Sequence, residues 1–341
     1  MIIPEKLQKG DTVAIVSLSS GMGGEKEFFH RYELGKERLE KEFSLNVVTM
    51  PNALKECDYL YKHPEMRAKD LMDAFENKNI KGIFTMIGGD DSLRLIPYID
   101  YEIIKNNPKI FIGYSDTTVT NLILYKAGLT SYYGPAILSE FAENGKMHDY
   151  TKKYLKDTLF NNDDIIIESS PEWTNDRIDW TDRSKNKEFR KMQNEEHGYE
   201  VLQGSGVVEG QLLGGCLDVM NMLIGTDIWP NVDEWNNKIL FIETSEMKPS
   251  PDDVTYFLRH LVALGIINRI SGIIIGKPKG EIYYNEYKKV FLKVISDEAS
   301  LKELPIMYNI NFGHSAPMCT LPYGLLATVD LDNKIITIKN N

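Results

Sequence analysis

Short apolar runs alternate with amphipathic stretches along the first 140 residues. Thr12-Val13-Ala14-Ile15-Val16 is a compact apolar run that predicts a buried strand, ending in Ser19-Ser20-Gly21. Over residues 25–42 the charges fall on one side of a 3.6-residue period, while Phe28, Phe29, Leu34 and Leu39 share another, which predicts a helix packed on a sheet. A strand is expected at 45–49, a helix at 64–77 with Met66, Leu71, Met72 and Phe75 inward, and a buried strand at 82–87. The same step recurs with a strand at 109–112 and a helix at 117–126. Strands alternating with helices indicate βαβ units and a mostly parallel, doubly wound sheet.

The pattern changes after Tyr150. Residues 161–200 hold eleven Asp/Glu and six Lys/Arg among few apolar residues, so they read as a linker and a long excursion from the fold. Loops of such length are disordered or functional, and this one carries two of the four tryptophans, Trp173 and Trp180. From Gly206 a second set of elements follows: helical spacing over 211–224, a strand at 238–242, a helix at 254–264, a strand at 270–276, a helix at 286–298, a strand at 305–312 and a closing hairpin over 327–338 turning at Asp332-Asn333. The expected organisation is an α/β domain over residues 1–160, a linker with a Trp-bearing loop over 161–205, and a more mixed α/β domain over 206–341.

Charge and cysteine content narrow the partners. With 39 Lys/Arg against 50 Asp/Glu the net charge is −11, which repels a polyphosphate backbone and argues against nucleic-acid binding, while a small charged substrate answers only to the local field. Three widely spaced cysteines, Cys57, Cys216 and Cys319, match neither a disulfide framework nor a zinc site. The N-terminal residues lack the layout of a signal peptide, and no apolar run approaches the ~20 residues of a membrane span. The expectation is a cytoplasmic protein without a membrane partner, metal or organic cofactor.

Three segments place reactive or acidic residues at predicted strand ends, where α/β sheets present ligands. In Gly113-Tyr114-Ser115-Asp116-Thr117, Ser115 sits between a strand and a helix, where its hydroxyl is either a nucleophile near helix N-terminal amides or an N-cap. Gly88-Gly89-Asp90 could supply oxyanion-binding amides, cradle a phosphate or simply turn. Of six histidines, His314 alone follows a strand and a glycine at another strand end, which makes it the candidate base. Glu243 ends the apolar run Leu240-Phe241-Ile242 and needs a partner there, which makes it the candidate orienting acid; Glu246 beyond it reads as solvated.

Together, Gly88-Gly89-Asp90, Gly113-Tyr114-Ser115-Asp116, Gly210 to Cys216, Phe241-Ile242-Glu243 and Asn311-Phe312-Gly313-His314 resemble, in order and spacing, the serine peptidase family of bacterial LD-carboxypeptidases and MccF-type microcin C self-immunity proteins. The resemblance implies a flavodoxin-like N-terminal domain, a smaller swivelling-type α/β C-terminal domain and a homodimer. It implies Ser115 as nucleophile, His314 as base, Glu243 as its orienting acid, and backbone amides, mapped onto Gly89 and Asp116, as the oxyanion hole. The substrate is implied to be a small peptide or an aminoacyl nucleotide. In the MccF-like branch an aromatic residue of the long loop stacks on the base; Trp180 is the candidate, Trp173 the more natural anchor. Three alternatives remain: an LD-carboxypeptidase of cell-wall tetrapeptides, a catalytically silent nucleotide-binding protein, and, least supported, a nucleotide kinase.

Overall fold

The computed structural model describes residues 1–340 as an α/β fold built on two mixed sheets and a small two-stranded ribbon. In chain order the strands are β1 (Thr12–Val16), β2 (Asn46–Thr49), β3 (Ile80–Thr85), β4 (Ile110–Ile112), β5 (Tyr132–Tyr133), β6 (Ile165–Ile167), β7 (Glu172–Trp173) and β8 (Gln193–Asn194). There follow β9 (Glu200–Gln203), β10 (Val207–Cys216), β11 (Lys238–Glu243), β12 (Gly272–Gly276), β13 (Ile306–Ile310), β14 (Leu321–Pro322), β15 (Leu326–Asp330) and β16 (Ile335–Ile338). Among the described residues, no helix is long and apolar enough to cross a membrane.

The first sheet runs β14-β5-β4-β3-β1-β2 and is parallel except for β14. Its central strands are apolar on both faces because helices cover both, the reason β1 and β4 read as uninterrupted hydrophobic runs. Strand order reverses between β1 and β3, so the loops after β1, β3 and β4 open a crevice at their C-terminal ends. The second sheet, β6-β16-β15-β10-β11-β12-β13-β9, has a parallel centre from β10 to β13 and antiparallel flanks.

The two sheets are tied together by the chain itself. β14 returns from the C-terminal segment to pair with β5 of the first sheet. The helix Thr118–Lys126 packs on β10, where Cys216 N–H donates to Thr118 Oγ1 at 3.1 Å. Gly214 and Gly215 permit the approach: a Cβ on Gly214 would meet the Phe241 carbonyl oxygen at 1.8 Å, and one on Gly215 (φ +145°) would meet Thr118 Cγ2 at 2.5 Å.

Three expectations change. Residues 211–216 are strand, the end of β10, and only Leu217–Leu223 is helix; at a parallel sheet centre a strand is buried on both faces and loses the alternation that separates it from a helix. The expected helix at 25–42 begins at Phe29, after a 3₁₀ turn at Met22–Gly24. The stretch 161–200 is more than an excursion, since β6 and the start of β9 are edge strands of the second sheet, with Ile165 and Ile167 buried and Ile166 exposed.

Candidate active site

Ser115 begins a 3₁₀ turn directly after β4 and the Gly113-Tyr114 link, and its φ of +62° is the left-handed conformation of a sharp strand-to-helix turn. Such strain persists only where the surroundings hold it. Thr118 Oγ1 donates to the Ser115 carbonyl at 2.7 Å, and the Ser115 amide donates to the Tyr133 hydroxyl at 3.1 Å. The turn aims Ser115 Oγ at His314 Nε2, 3.0 Å away.

His314 lies beyond β13 and is stacked edge-on against Tyr114 at 5.1 Å. Its Nδ1 faces both oxygens of Glu243, at 2.8 and 3.0 Å, and its backbone N–H donates to Glu243 Oε2 at 3.3 Å. Glu243, the last residue of β11, is buried, and Tyr133 O–H donates to its Oε1, so the desolvated carboxylate is fully partnered. Gly313 is required here: at φ +85° a Cβ would sit 2.5 Å from Glu243 Cδ. The structure thus brings Ser115, His314 and Glu243, from both sheets, into one hydrogen-bonded chain.

The loop after β3 closes the other side of Ser115. A Cβ on Gly88 would lie 2.9 Å from Ser115 Cβ and 3.4 Å from the Asp116 nitrogen, and one on Gly89 (φ +153°) would lie 2.3 Å from Ser19 Oγ. Asp116 braces this loop, its Oδ2 accepting from Ser92 N–H at 2.9 Å and its carbonyl from Ser92 O–H at 2.8 Å. Burial raises its carboxyl pKa, partly offset by hydrogen bonds from Ser19 and Ser92. Asp91 ion-pairs with the buried Arg67, and the Arg67 guanidinium also caps the Leu18 and Ser19 carbonyls. An acid that would repel a phosphate is therefore committed to the scaffold.

These residues line a cavity of about 700 Å³ that reaches Trp180. Trp180 is half-buried, with the Arg31 guanidinium 4.1 Å from its ring centre. Arg31 is held by the Leu138 and Ala142 carbonyls and Asn144 Oδ1, and burial brings its pKa down to about 10. Trp173 is buried under Lys277 and serves as an anchor of the loop. Of the loop cations, Arg177 and Arg190 line the cavity, while Arg183 is exposed and pairs with Glu33.

Several lining residues escaped sequence reasoning. Arg190 pairs with the buried Glu143, and Lys279 faces the cavity with its pKa brought down to about 8, chiefly by burial and then by Arg190 and Arg177. Glu246, expected to be solvated, sits with Oε2 2.8 Å from His314 Nε2. His30 is buried against Asn186, and the half-buried His148 lies 3.3 Å from Glu143. One further group of donors, Cys216, Glu243 and His314, comes within 4.8 Å among the described residues. Burial pushes the Cys216 thiol well up and Glu243 is already saturated by donors, so the set reads as the chain above with a packed neutral thiol.

Residues 13–134 match the LD-carboxypeptidase N-terminal domain and residues 209–329 the LD-carboxypeptidase C-terminal domain. The chain belongs to the LD-carboxypeptidase family. It is 35% identical to the putative carboxypeptidase YocD of Bacillus subtilis, covering 94% of this chain and 93% of YocD. It is 32% identical to the microcin C7 self-immunity protein MccF of Escherichia coli, covering 80% of this chain and 77% of MccF. MccF solved in complex with aspartyl sulfamoyl adenosine superposes at a TM-score of 0.84, with 28% identity over 99% of this chain and 98% of that one. An MccF-like protein from Streptococcus pneumoniae, solved in complex with AMP, superposes at a TM-score of 0.89, with 35% identity over 96% of this chain and 98% of that one.

Membership in the LD-carboxypeptidase family makes this chain an amide-cleaving hydrolase. The positive-φ turn, the cross-sheet histidine and the strand-end glutamate are the parts such an enzyme needs.

Proposed function

We propose that the protein is a serine hydrolase of aminoacyl- or peptidyl-adenylate-type substrates, acting as MccF does in self-immunity. Ser115 Oγ attacks the acyl carbon, His314 Nε2 accepts its proton and passes it to the leaving nitrogen, and Glu243 holds the imidazolium. The amides of Gly89 and Asp116 bind the oxyanion; the Ser115 amide is committed to Tyr133, which leaves the residue after the nucleophile as the natural donor. Water then releases the acyl group by the reverse sequence.

The observation that carries this reading is the continuity of one cavity from Ser115 and His314 to Trp180. Arg31 covers one face of the indole, and the proposal places the nucleobase on the other. Stacking on an aromatic side chain is worth roughly 1–3 kcal/mol per base. MccF bound to aspartyl sulfamoyl adenosine and the pneumococcal relative bound to AMP support a nucleotide here.

The organisation is proposed as residues 1–160 carrying the nucleophile, 161–205 the Trp-bearing loop, and 206–341 the Glu and His. The 2-1-3-4-5 parallel order of the first sheet supports the flavodoxin-like type, and a swivelling-type second domain, a homodimer and a cytoplasmic site complete the proposal. The test is a paired hydrolysis assay with an aminoacyl sulfamoyl adenosine and a cell-wall tetrapeptide. Cleavage of the adenosine derivative, lost in Ser115→Ala, is expected. Cleavage of the tetrapeptide alone would move the enzyme to cell-wall recycling.

A further inference from the structure

Glu246 lies in an exposed turn three residues beyond Glu243, between β11 and the helix Pro251–Ala263. Its carboxylate points back into the cavity toward His314, with Oε2 2.8 Å from Nε2. His314 is therefore flanked by two carboxylates, Glu243 on Nδ1 and Glu246 on Nε2, while Ser115 holds the hydrogen-bonding position on Nε2. Burial alone would lower the histidine's pKa; the two glutamates reverse this and take it up to about 10, and Glu246 falls to about 2, chiefly through His314. Of the other groups lining this part of the cavity, Lys279 acts on Glu246 directly, Glu246 acts on the buried Tyr114 hydroxyl, and Glu140 acts on Lys279 and Tyr114.

An imidazolium cannot accept the proton of Ser115. With both ring nitrogens protonated between the two carboxylates, Nε2–H would donate to Ser115 Oγ, 3.0 Å away, the reverse of what attack requires. Glu243 is the larger of the two influences and stays in place behind Nδ1; Glu246, on the Nε2 side and lining the cavity beside Ser115, is the one a substrate can reach. A cation carried there by the substrate would pair with the carboxylate and remove its field from Nε2.

We infer that Glu246 recognises the free α-ammonium of an aminoacyl substrate and that this contact releases His314 to act as base. The inference rests on the adenylate reading above and narrows it: the enzyme prefers aminoacyl substrates with a free α-amino group to congeners without one. Glu246 is thus a specificity determinant whose charge is spent on the base until the right substrate takes it over.

The experiment compares wild type, Glu246→Gln and Glu246→Asp on an aminoacyl sulfamoyl adenosine and its congener with hydrogen in place of the α-amino group. A second readout needs no turnover: the rate of Ser115 labelling by a fluorophosphonate against pH, and its protection by each nucleoside. Wild type is expected to prefer the free amine by at least about tenfold in kcat/KM, Glu246→Gln to lose that preference, and Glu246→Asp to keep part of it. Glu246→Gln is also expected to label faster near neutral pH with its acid limb moved to lower pH, the free-base fraction there rising about tenfold for each pH unit the limb moves. An unchanged preference in Glu246→Gln, or an unmoved labelling limb, overturns the inference. If wild type turns over neither nucleoside, the adenylate reading fails; stronger protection by the amine then still supports ammonium recognition, and equal or absent protection overturns it.

Discussion

At the scale of single residues, the proposed catalytic geometry is held by groups to which the proposal gives no chemistry. Tyr133 is the clearest case, since its hydroxyl accepts from the Ser115 amide and donates to Glu243, joining the proposed nucleophile and orienting acid from behind. Tyr133→Phe deletes both bonds inside a buried site, where an unsatisfied group costs ~1–3 kcal/mol. We expect kcat to fall about tenfold or more with KM little changed, measured by steady-state kinetics. Ser115→Ala should remove about 10⁴-fold or more of the rate, as in other triads, and leave thermal unfolding within about 2 °C, since no packing is lost. His314 adds a pH signature to stability. Its folded pKa of about 10 exceeds the ordinary 6.5, so its contribution is complete below pH 6.5 and is lost as pH rises through about 10. The gap in unfolding midpoint between wild type and Glu243→Gln should therefore narrow from pH 6.5 to 10; a constant gap would contradict the raised value.

At the scale of elements, what could be read in advance follows from burial. β1 and β4 are apolar on both faces and are followed by Ser17 and Gly113, and the apolar β11 ends in Glu243, so the strands and the candidate residues at their ends were legible together. Ser115, His314 and Glu243 could be singled out because each interrupts such a run or follows it through a glycine, and the structure brings the three together. Glu246 and Lys279 were not, because an acid or a lysine in a turn carries no pattern, and only the fold shows that these turns face one cavity. Arg31 was hidden inside an amphipathic helix, where an arginine ordinarily marks the solvent side; here it is buried behind the loop. The loop itself is closed by β7 and β8 and pinned by Lys277–Glu195 and Arg190–Glu143. Trp180 is thus presented on a braced support, and Trp180→Ala should cost about 5- to 150-fold in kcat/KM on an adenosine-linked substrate, the range of 1–3 kcal/mol of stacking. Trp180→Phe should retain most of it, and a tetrapeptide substrate, if cleaved, should be indifferent to both changes.

At the scale of the whole molecule, the active site exists only as long as the two sheets keep their distance. Ser115 follows a strand of the first, Glu243 ends a strand of the second and His314 follows another, and the tie between the sheets nearest to them is the helix Thr118–Lys126 against β10. Thr118 sits at the hinge of this arrangement: its hydroxyl donates to the carbonyl of Ser115 and accepts from the amide of Cys216, which pairs in register with Glu243. The glycine before Cys216 leaves room for that pair of hydrogen bonds. Gly215→Ala would place a methyl 2.5 Å from Thr118 Cγ2 and 2.8 Å from its Oγ1, at a φ that alanine tolerates poorly. The helix must then retreat, and with it Ser115. A displacement of about 1 Å can cost on the order of 10²-fold in rate, so kcat should fall far more than KM changes, in a protein that still folds. Shortening the obstacle with Thr118→Ser in the same chain removes the clashing methyl but keeps the hydroxyl. Partial return of kcat in that double variant, with Thr118→Ser alone nearly silent, would show that the spacing of the sheets carries the loss; no return would place the damage in the backbone of β10.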